Sequence, residues 1–159
     1  MDNKCVGDYI DVLINKRLVD IGRATNMVWV CFEENRELWN LHIQSSWRIF
    51  NKERREIKFA SSDIYQPNSQ IKCMDEFNWE VQGENLFDEK SQIWLKENKG
   101  LCVKDIGINM WGDLRVFFSN DDVLDVFVNT SEYVECWRLF EKSRKDIGHL
   151  VVTGLGVNL

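Results

Sequence analysis

The sequence predicts an α+β protein whose strands form a mostly antiparallel sheet, strongly curved or barrel-like, with one main helix. About seven segments have the apolar alternation or short apolar runs typical of strands, whereas one segment, near residues 86–98, is a clear helix. The connections between strands are rich in Gly, Asn and Asp, which favour tight turns. The 159 residues are expected to form a single domain spanning 1–159.

The stretch 38–50 is predicted to be one long strand around which the other strands are arranged. Successive side chains of a strand point to opposite faces. One face would carry apolar residues interrupted by Ser45, and the other a polar row. The apolar residues are Trp39, Leu41, Ile43, Trp47 and Ile49; the polar row is Asn40, His42, Gln44, Ser46 and Arg48.

The segments around this strand are less uniform. Residues 9–24 fit either a hairpin or a short helix followed by a strand, and both alternatives stay open. The apolar run 27–32 predicts a strand covered on both faces. Residues 57–65 predict a further strand that ends before Pro67, giving three consecutive antiparallel strands.

The second half begins with an irregular polar connection over residues 68–83. The helix that follows has Asn85 as its N-cap, acidic residues in its first turn, and Gly100 after its end. Its predicted apolar stripe is Phe87, Ile93, Trp94 and Leu95. Strands are predicted at 101–110, 114–118, 123–128 and 149–157, while 131–140 fits a helix or a strand.

A weak internal repeat favours the strand for 134–140. Val30-Cys-Phe32 and Trp47-Arg-Ile-Phe50 form one series, and Val116-Phe-Phe118 and Trp137-Arg-Leu-Phe140 form the other. Two matching series predict an internal duplication of a β-rich unit. Within each Trp-Arg pair the two side chains would point to opposite faces. Replacing either Trp by Ala is therefore predicted to be severely destabilising, whereas Arg48→Ala should change binding more than stability.

The formal net charge is −6 with no basic tail, which argues against nucleic acid as a partner and is compatible with a basic protein. The five cysteines are odd in number and have no Cys-x-x-Cys pair, so neither a disulfide framework nor a zinc site is predicted. No apolar signal core and no membrane-length apolar stretch occurs in the sequence. We therefore expect a cytoplasmic protein without a membrane, metal or cofactor requirement.

The candidate binding residues are His42, Gln44, Ser46 and Arg48. On one strand face they could line a groove for an anion or a carboxylate-bearing partner; the alternative is an ordinary solvated sheet face. His149 is the other histidine and could meet His42 across the sheet in a hydrolase or a metal-dependent enzyme. The acidic residues Asp113, Asp121, Asp122 and Asp125 are predicted to lie in solvated turns.

The organising segment also carries a resemblance. Leu41-His-Ile-Gln44 followed by Trp47-Arg-Ile49 resembles a family of small uncharacterised bacterial proteins with an LHIQ-x-x-WRI motif. The resemblance implies a bacterial intracellular protein and supplies no activity. With seven Trp, an acidic surface and no catalytic motif, we predict a non-enzymatic protein-binding module. Toxin-neutralising immunity proteins are an analogy at the level of class.

Overall fold

A computed structural model describes the backbone over residues 3–159 and the side chains over residues 6–159. Two antiparallel sheets and two helices share one hydrophobic core. The elements are α1 (Asn3–Ile10), β1 (Arg17–Ala24), β2 (Met27–Glu34), β3 (Glu37–Ile43), β4 (Trp47–Asn51), β5 (Glu56–Ala60), α2 (Leu86–Glu97), β6 (Val103–Ile108), β7 (Leu114–Phe118), β8 (Asp122–Val126), β9 (Glu135–Glu141), β10 (Leu150–Thr153) and β11 (Gly156–Asn158). Three short 3₁₀ helices, Asp11–Leu13, Ser61–Tyr65 and Met74–Glu76, lie between them.

The strands are divided between a six-stranded sheet, in the order β1-β2-β3-β9-β10-β11, and a five-stranded sheet, in the order β5-β4-β8-β7-β6. Both sheets are open, so the α+β antiparallel prediction is confirmed but the single barrel-like sheet is not what forms. The edge strands β1 and β6 approach at one corner, where Arg17 and Cys102 form an isolated bridge.

The prediction of one continuous strand over 38–50 is wrong, because the segment forms two strands, β3 and β4. The chain leaves the six-stranded sheet after Ile43 and enters the five-stranded sheet at Trp47. The backbone N–H groups of Gln44 and Ser45 both donate to the carbonyl of Cys136, at 2.8 and 3.1 Å, and this anchors the crossover. The alternation continues through the break, so all five predicted apolar residues face the core.

The two halves of the chain follow the same course in opposite sheets. Strands β1–β3 lie in the six-stranded sheet and β4–β5 in the other, whereas β6–β8 lie in the five-stranded sheet and β9–β11 in the other. Arg48 of β4 is opposite Asp125 of β8, and Arg138 of β9 is opposite His42 of β3. Trp47 and Trp137, each one residue earlier, are both buried in the core.

Several local predictions are resolved by the pairing. Residues 9–24 form the helix-then-strand alternative, and 134–140 lie in a strand, β9. The predicted strand 57–65 ends at Ala60 and continues as a 3₁₀ helix. The predicted last strand is a hairpin of β10 and β11, in which Gly156 has a φ of 132° that favours glycine.

Strand β2 is covered on one face only, which corrects the prediction for 27–32. Val28, Val30 and Phe32 are buried, while Trp29 and Cys31 alternate with them on the half-buried outer face. Phe32 stacks on Phe118 of β7, with ring centroids 6.4 Å apart, so the inner faces of the two sheets meet there. An unbroken apolar run therefore does not require a covering layer on both sides, because antiparallel sheets can leave one face wet.

Helix α2 begins as predicted, because the Asn85 side chain accepts a hydrogen bond of 2.9 Å from the N–H of Asp88. The buried stripe is Phe87, Ser91 and Trp94, whereas the predicted member Ile93 is half exposed. The helix packs against the edge strands β1 and β5. Aromatic rings of the helix and of the five-stranded sheet fill the space beneath it: Trp47, Phe59, Phe87, Trp94 and Phe118.

Cys31, Cys73, Cys102 and Cys136 are free thiols, and the side chain of Cys5 lies outside the described residues. Within residues 3–159, no helix is both long enough and apolar enough to cross a membrane.

Candidate functional site

The predicted polar row is divided between two surfaces, because β3 and β4 belong to different sheets. His42 lies on the outer face of the six-stranded sheet and Arg48 on the outer face of the five-stranded sheet. Gln44 and Ser46 lie at the crossover, where Gln44 donates to Glu135 and Ser46 Oγ accepts from Asn129, each at 2.9 Å. Gln44 and Ser46 line a common cavity of about 290 Å³, whereas His42 and Arg48 lie outside it on different sheets. A binding role for these four residues stays a prediction.

His42 and His149 do lie on the same sheet face, and the Phe140 ring contacts both. The His42 ring meets Phe140 edge-on at 4.8 Å between centroids, and His149 stacks on Phe140 at 4.5 Å. Burial lowers the pKa of His42, and the charge of Arg138 lowers it further, while Glu135 opposes the shift. His42 is therefore neutral near pH 7.

Each of the three guanidinium nitrogens of Arg138 has a partner on this face. Its Nε donates to Glu135 at 2.7 Å, its Nη2 donates to the other oxygen of Glu135, and its Nη1 is 3.2 Å from Nδ1 of His149. Hydrogen bonding to Arg138 lowers the pKa of Glu135. Among the described side chains, no group of three His, Cys, Asp or Glu residues could hold a metal ion.

The outer face of the five-stranded sheet carries a different cluster, the arginine pair, formed by Arg48, Arg115 and the carboxylate between them, Asp125. Arg115 donates to Asp125 from Nε and Nη2 at 2.6 and 3.0 Å, and Arg48 donates to Oδ2 at 3.3 and 3.1 Å. Asp125 is buried, whereas the side chains of Arg48 and Arg115 are 42% and 50% exposed. The hydrogen bonds to Asp125 raise the pKa of Arg115.

Both guanidinium groups lie against phenylalanine rings. Arg48 lies over Phe50 and Phe127, at 5.2 and 5.4 Å from the ring centroids. Arg115 lies near Phe50 and Phe117, at 5.9 and 6.0 Å. Contacts of this type are attractive and restrict the orientation of the guanidinium plane.

Of the four acidic residues predicted to lie in solvated turns, Asp122 and Asp125 are instead buried in β8, which corrects the prediction for those two, whereas Asp121 is exposed between β7 and β8. Asp122 is fully buried and accepts hydrogen bonds from Trp94, Lys58, Asn51 and Asn120 at 2.8 to 2.9 Å. Burial raises its pKa, but these hydrogen bonds outweigh that effect and leave the pKa of Asp122 lowered. This carboxylate stabilises the fold because it joins α2 to the five-stranded sheet.

A third surface lies at one end of the molecule, where three connections meet. We call it the apolar end: Met110 and Trp111 between β6 and β7, Tyr133 before β9, and Leu155 between β10 and β11. These side chains are 76%, 71%, 72% and 67% exposed, respectively. Met110, Tyr133 and Leu155 line a common cavity of about 310 Å³. Soluble proteins rarely group such residues at the surface without a binding role.

The connections of the apolar end are firmly attached to the core. The carbonyl of Gly112 accepts a hydrogen bond of 2.9 Å from Nε1 of the buried Trp137. A Cβ atom at Gly154 would come within 2.3 Å of the carbonyl oxygen of Thr130, so these two backbones are in close contact. The exposed side chains therefore stand on a rigid base.

Sequence reasoning missed the apolar end because its residues are divided among three connections that are far apart in the chain. Trp-Gly-Asp at 111–113 indicated only a turn between two predicted strands, and Tyr133 lies in the segment 131–140, which fits a helix or a strand. The arginine pair was missed for the same reason, since Arg115 and Asp125 join Arg48 only through the sheet. A Trp in a predicted turn was the one available signal.

Comparisons with protein-family models, with curated proteins and with solved structures each found no significant match.

Proposed function

We propose that the protein is a non-enzymatic binding module whose partner is another protein, docked at the apolar end. The observation that carries the proposal is that Met110, Tyr133 and Leu155, each at least 67% exposed, line one cavity, and that the 71% exposed Trp111 follows Met110 in the chain. Trp, Tyr and Met are enriched in the central parts of protein interfaces. A surface that is already ordered loses less conformational entropy on binding.

The charge around the apolar end specifies the partner further. The three connections 109–113, 130–134 and 153–158 contain Asp113 and Glu132 and no Lys or Arg. The whole chain has a formal net charge of −6. The complementary partner is a protein that presents an apolar protrusion surrounded by Lys or Arg side chains, and its association rate should fall as salt is added.

The test is affinity capture from extracts of the native organism, followed by reconstitution with the purified partner. The triple variant Met110→Ser, Trp111→Ser and Leu155→Ser should weaken binding at least about tenfold, because it removes the apolar anchors. The matched control is Ile57→Ser with Ile93→Ser. Those residues are also exposed, by 60% and 50%, but lie on another surface beside α2. The control variant should bind like the wild type.

Two outcomes would contradict this proposal. A reconstituted partner that binds the triple variant as tightly as the wild type would place the interface elsewhere. Self-association that the triple variant abolishes, measured by sedimentation equilibrium, would make the occupant a second copy of this chain instead of a different protein.

We also infer that the chain arose by internal duplication of a five-stranded unit. The support is the equivalence of pairing: Arg48 opposite Asp125 corresponds to Arg138 opposite His42, at matching positions of β4 and β9. A bulge interrupts β1 and β6 at the same point, immediately before Asp20 and Asp105, each followed by Ile-Gly. In related sequences, residues 17–60 and 102–151 should align in this register; a consistent one-residue offset in a central strand would contradict the inference.

A hydrolase or metal-dependent enzyme that uses His42 and His149 is the second candidate. It is supported by the grouping of both imidazoles with Arg138 and Glu135 around Phe140. A panel of ester, amide and phosphate substrates, with and without added Zn²⁺, tests it. Activity that the His42→Gln and His149→Gln variants each abolish would establish this candidate, and activity that survives both substitutions would remove it.

We further propose a cytoplasmic location in a bacterium. Four free thiols support it, since structural disulfides are rare in reducing compartments. Burial raises the pKa of Cys31 to about 11, so this thiol is protonated and resists oxidation. Cell fractionation that recovers the native protein outside the cytoplasm would overturn the proposal.

A further inference from the structure

We propose that the arginine pair is a binding site for a monocarboxylate attached to a flat apolar group. This site lies on the outer face of the five-stranded sheet, beside the connection 109–113 that also belongs to the apolar end, but it does not rest on the proposed function there. Its carboxylate would accept hydrogen bonds from Arg115 and Arg48, and its apolar group would occupy the cavity beside Arg115.

The first argument is the unused hydrogen-bonding capacity of the two arginines. A guanidinium carries five N–H donors. Arg48 and Arg115 each contact Asp125 through Nε and Nη2 only. Among the side chains and backbone that the structure describes, neither Nη1 group has an acceptor, and both side chains are about half exposed. The free donors are therefore available to an oxyanion.

Arg138 provides the contrast. It occupies the equivalent position on the other sheet, but all three of its nitrogens have partners, in Glu135 and His149. The free donors of Arg48 and Arg115 thus do not follow from their position in a strand. They arise because two guanidinium groups share one carboxylate, so the cluster has one positive charge in excess.

The second argument is the cavity. A space of about 440 Å³ lies next to Arg115, with Phe117 and Phe127 among its walls. Gly107 lines it as well, and a Cβ atom at that position would have nothing within 4 Å. The two phenylalanine rings would favour a flat apolar group, since stacked and edge-to-face aromatic contacts are attractive.

The charge of the walls selects a monoanion. Asp113 and Asp125 both line the cavity, so together with Arg48 and Arg115 the surroundings have no net excess of charge. A dianionic phosphate would meet these carboxylates with twice the repulsion, whereas a carboxylate can accept two parallel N–H donors from one guanidinium. Free aromatic acids and the C-terminal aromatic residue of a peptide share this chemistry.

The test is a titration followed by ¹⁵N NMR of the arginine Nε–Hε groups and of the Gly107 amide. The probes are phenylacetate for a free acid and Ac-Ala-Ala-Phe for a peptide C-terminus. The neutral controls are phenylacetamide and Ac-Ala-Ala-Phe-NH₂, and inorganic phosphate, at a pH of about 8 where most of it is doubly charged, is the dianion. At least one carboxylate probe should cause saturable chemical-shift changes at Arg115 and Gly107. The probe that binds more tightly indicates whether the ligand is a free acid or a peptide C-terminus. Each neutral control and phosphate should bind at least about tenfold more weakly.

Three variants complete the design. Arg115→Gln should weaken binding of the carboxylate probe at least about tenfold. Gly107→Leu should block the cavity while all charges remain, which keeps the test valid if Arg115→Gln impairs folding. Arg138→Gln, the matched control, should leave binding unchanged. The proposal is overturned if no carboxylate probe saturates up to about 10 mM, if phosphate binds as tightly as the carboxylates, or if Gly107→Leu binds like the wild type.

Discussion

Arg23 joins three parts of the chain that are far apart in sequence, and its replacement by Met should be one of the most destabilising changes. The side chain is completely buried. Its Nε and Nη2 contact the two carboxylate oxygens of Asp88 at 2.7 and 2.8 Å. It also donates to the carbonyls of Thr25 and Val81 at 2.9 and 3.1 Å. Strand β1, the irregular connection 68–83 and the start of α2 are therefore held by one guanidinium.

The magnitude follows from what Arg23→Met leaves behind. The Asp88 side chain is 10% exposed, so the substitution leaves a nearly buried carboxylate whose remaining donor is the N–H of Gly83. Removing one partner of a buried ion pair costs about 3–5 kcal/mol. That is a large share of the 5–15 kcal/mol that typically stabilises a folded domain.

Urea unfolding at pH 7 measures the effect, with Asp88→Leu and the double variant completing a mutant cycle. The double variant should be less destabilised than the sum of the single ones by at least about 1 kcal/mol, because it removes both buried charges together. Arg144→Met is the matched control. Arg144 pairs with Asp146 at 2.9 Å in an exposed position, and its loss should not change the unfolding free energy measurably. If Arg23→Met costs less than about 1 kcal/mol, the buried pair is equivalent to a surface pair and the reasoning fails.

Three further predictions concern the core, a close backbone approach and pH. Trp137→Ala should lower the unfolding free energy measured in urea by about 3–5 kcal/mol, because the side chain is fully buried. Arg48→Ala should lower it by about 1 kcal/mol or less, because Asp125 keeps its second partner, Arg115, and an equal loss in both variants would contradict this. Gly154→Ala should destabilise the protein by at least about 1–3 kcal/mol, measured in thermal melts, because its Cβ would lie 2.3 Å from a backbone oxygen. A Cβ at Gly107 meets open space, so Gly107→Ala should be close to neutral, and similar melting temperatures for both variants would refute the steric argument. The lowered pKa of Asp122 adds stability above the unfolded-state pKa of about 4, and this stability is lost as the pH falls through the folded-state pKa. The unfolding free energy of the wild type should therefore fall more steeply below about pH 4 than that of Asp122→Asn, and parallel curves would contradict the assignment.

The sequence alone determined which residues of β3 and β4 are buried and where α2 begins. Alternation with period two placed the apolar side chains of β3 and β4 in the core, and the Asn85 cap located the start of the helix. These signals are local, since side-chain direction and capping depend on neighbouring residues only. The Trp-Arg repeat also favoured the strand at β9, where apolar periodicity alone did not decide.

Only the tertiary structure decided which sheet each strand joins. The alternation continues without interruption through Gln44–Ser46, yet β3 pairs with β9 and β4 with β8. The paired residues of β3 and β9 are roughly 100 positions apart in the chain, and those of β4 and β8 roughly 75. No short pattern specifies such long-range pairing. For this reason His42 and Arg48, six positions apart, lie in different sheets, and the arginine pair and the apolar end each assemble from residues that the sequence keeps apart.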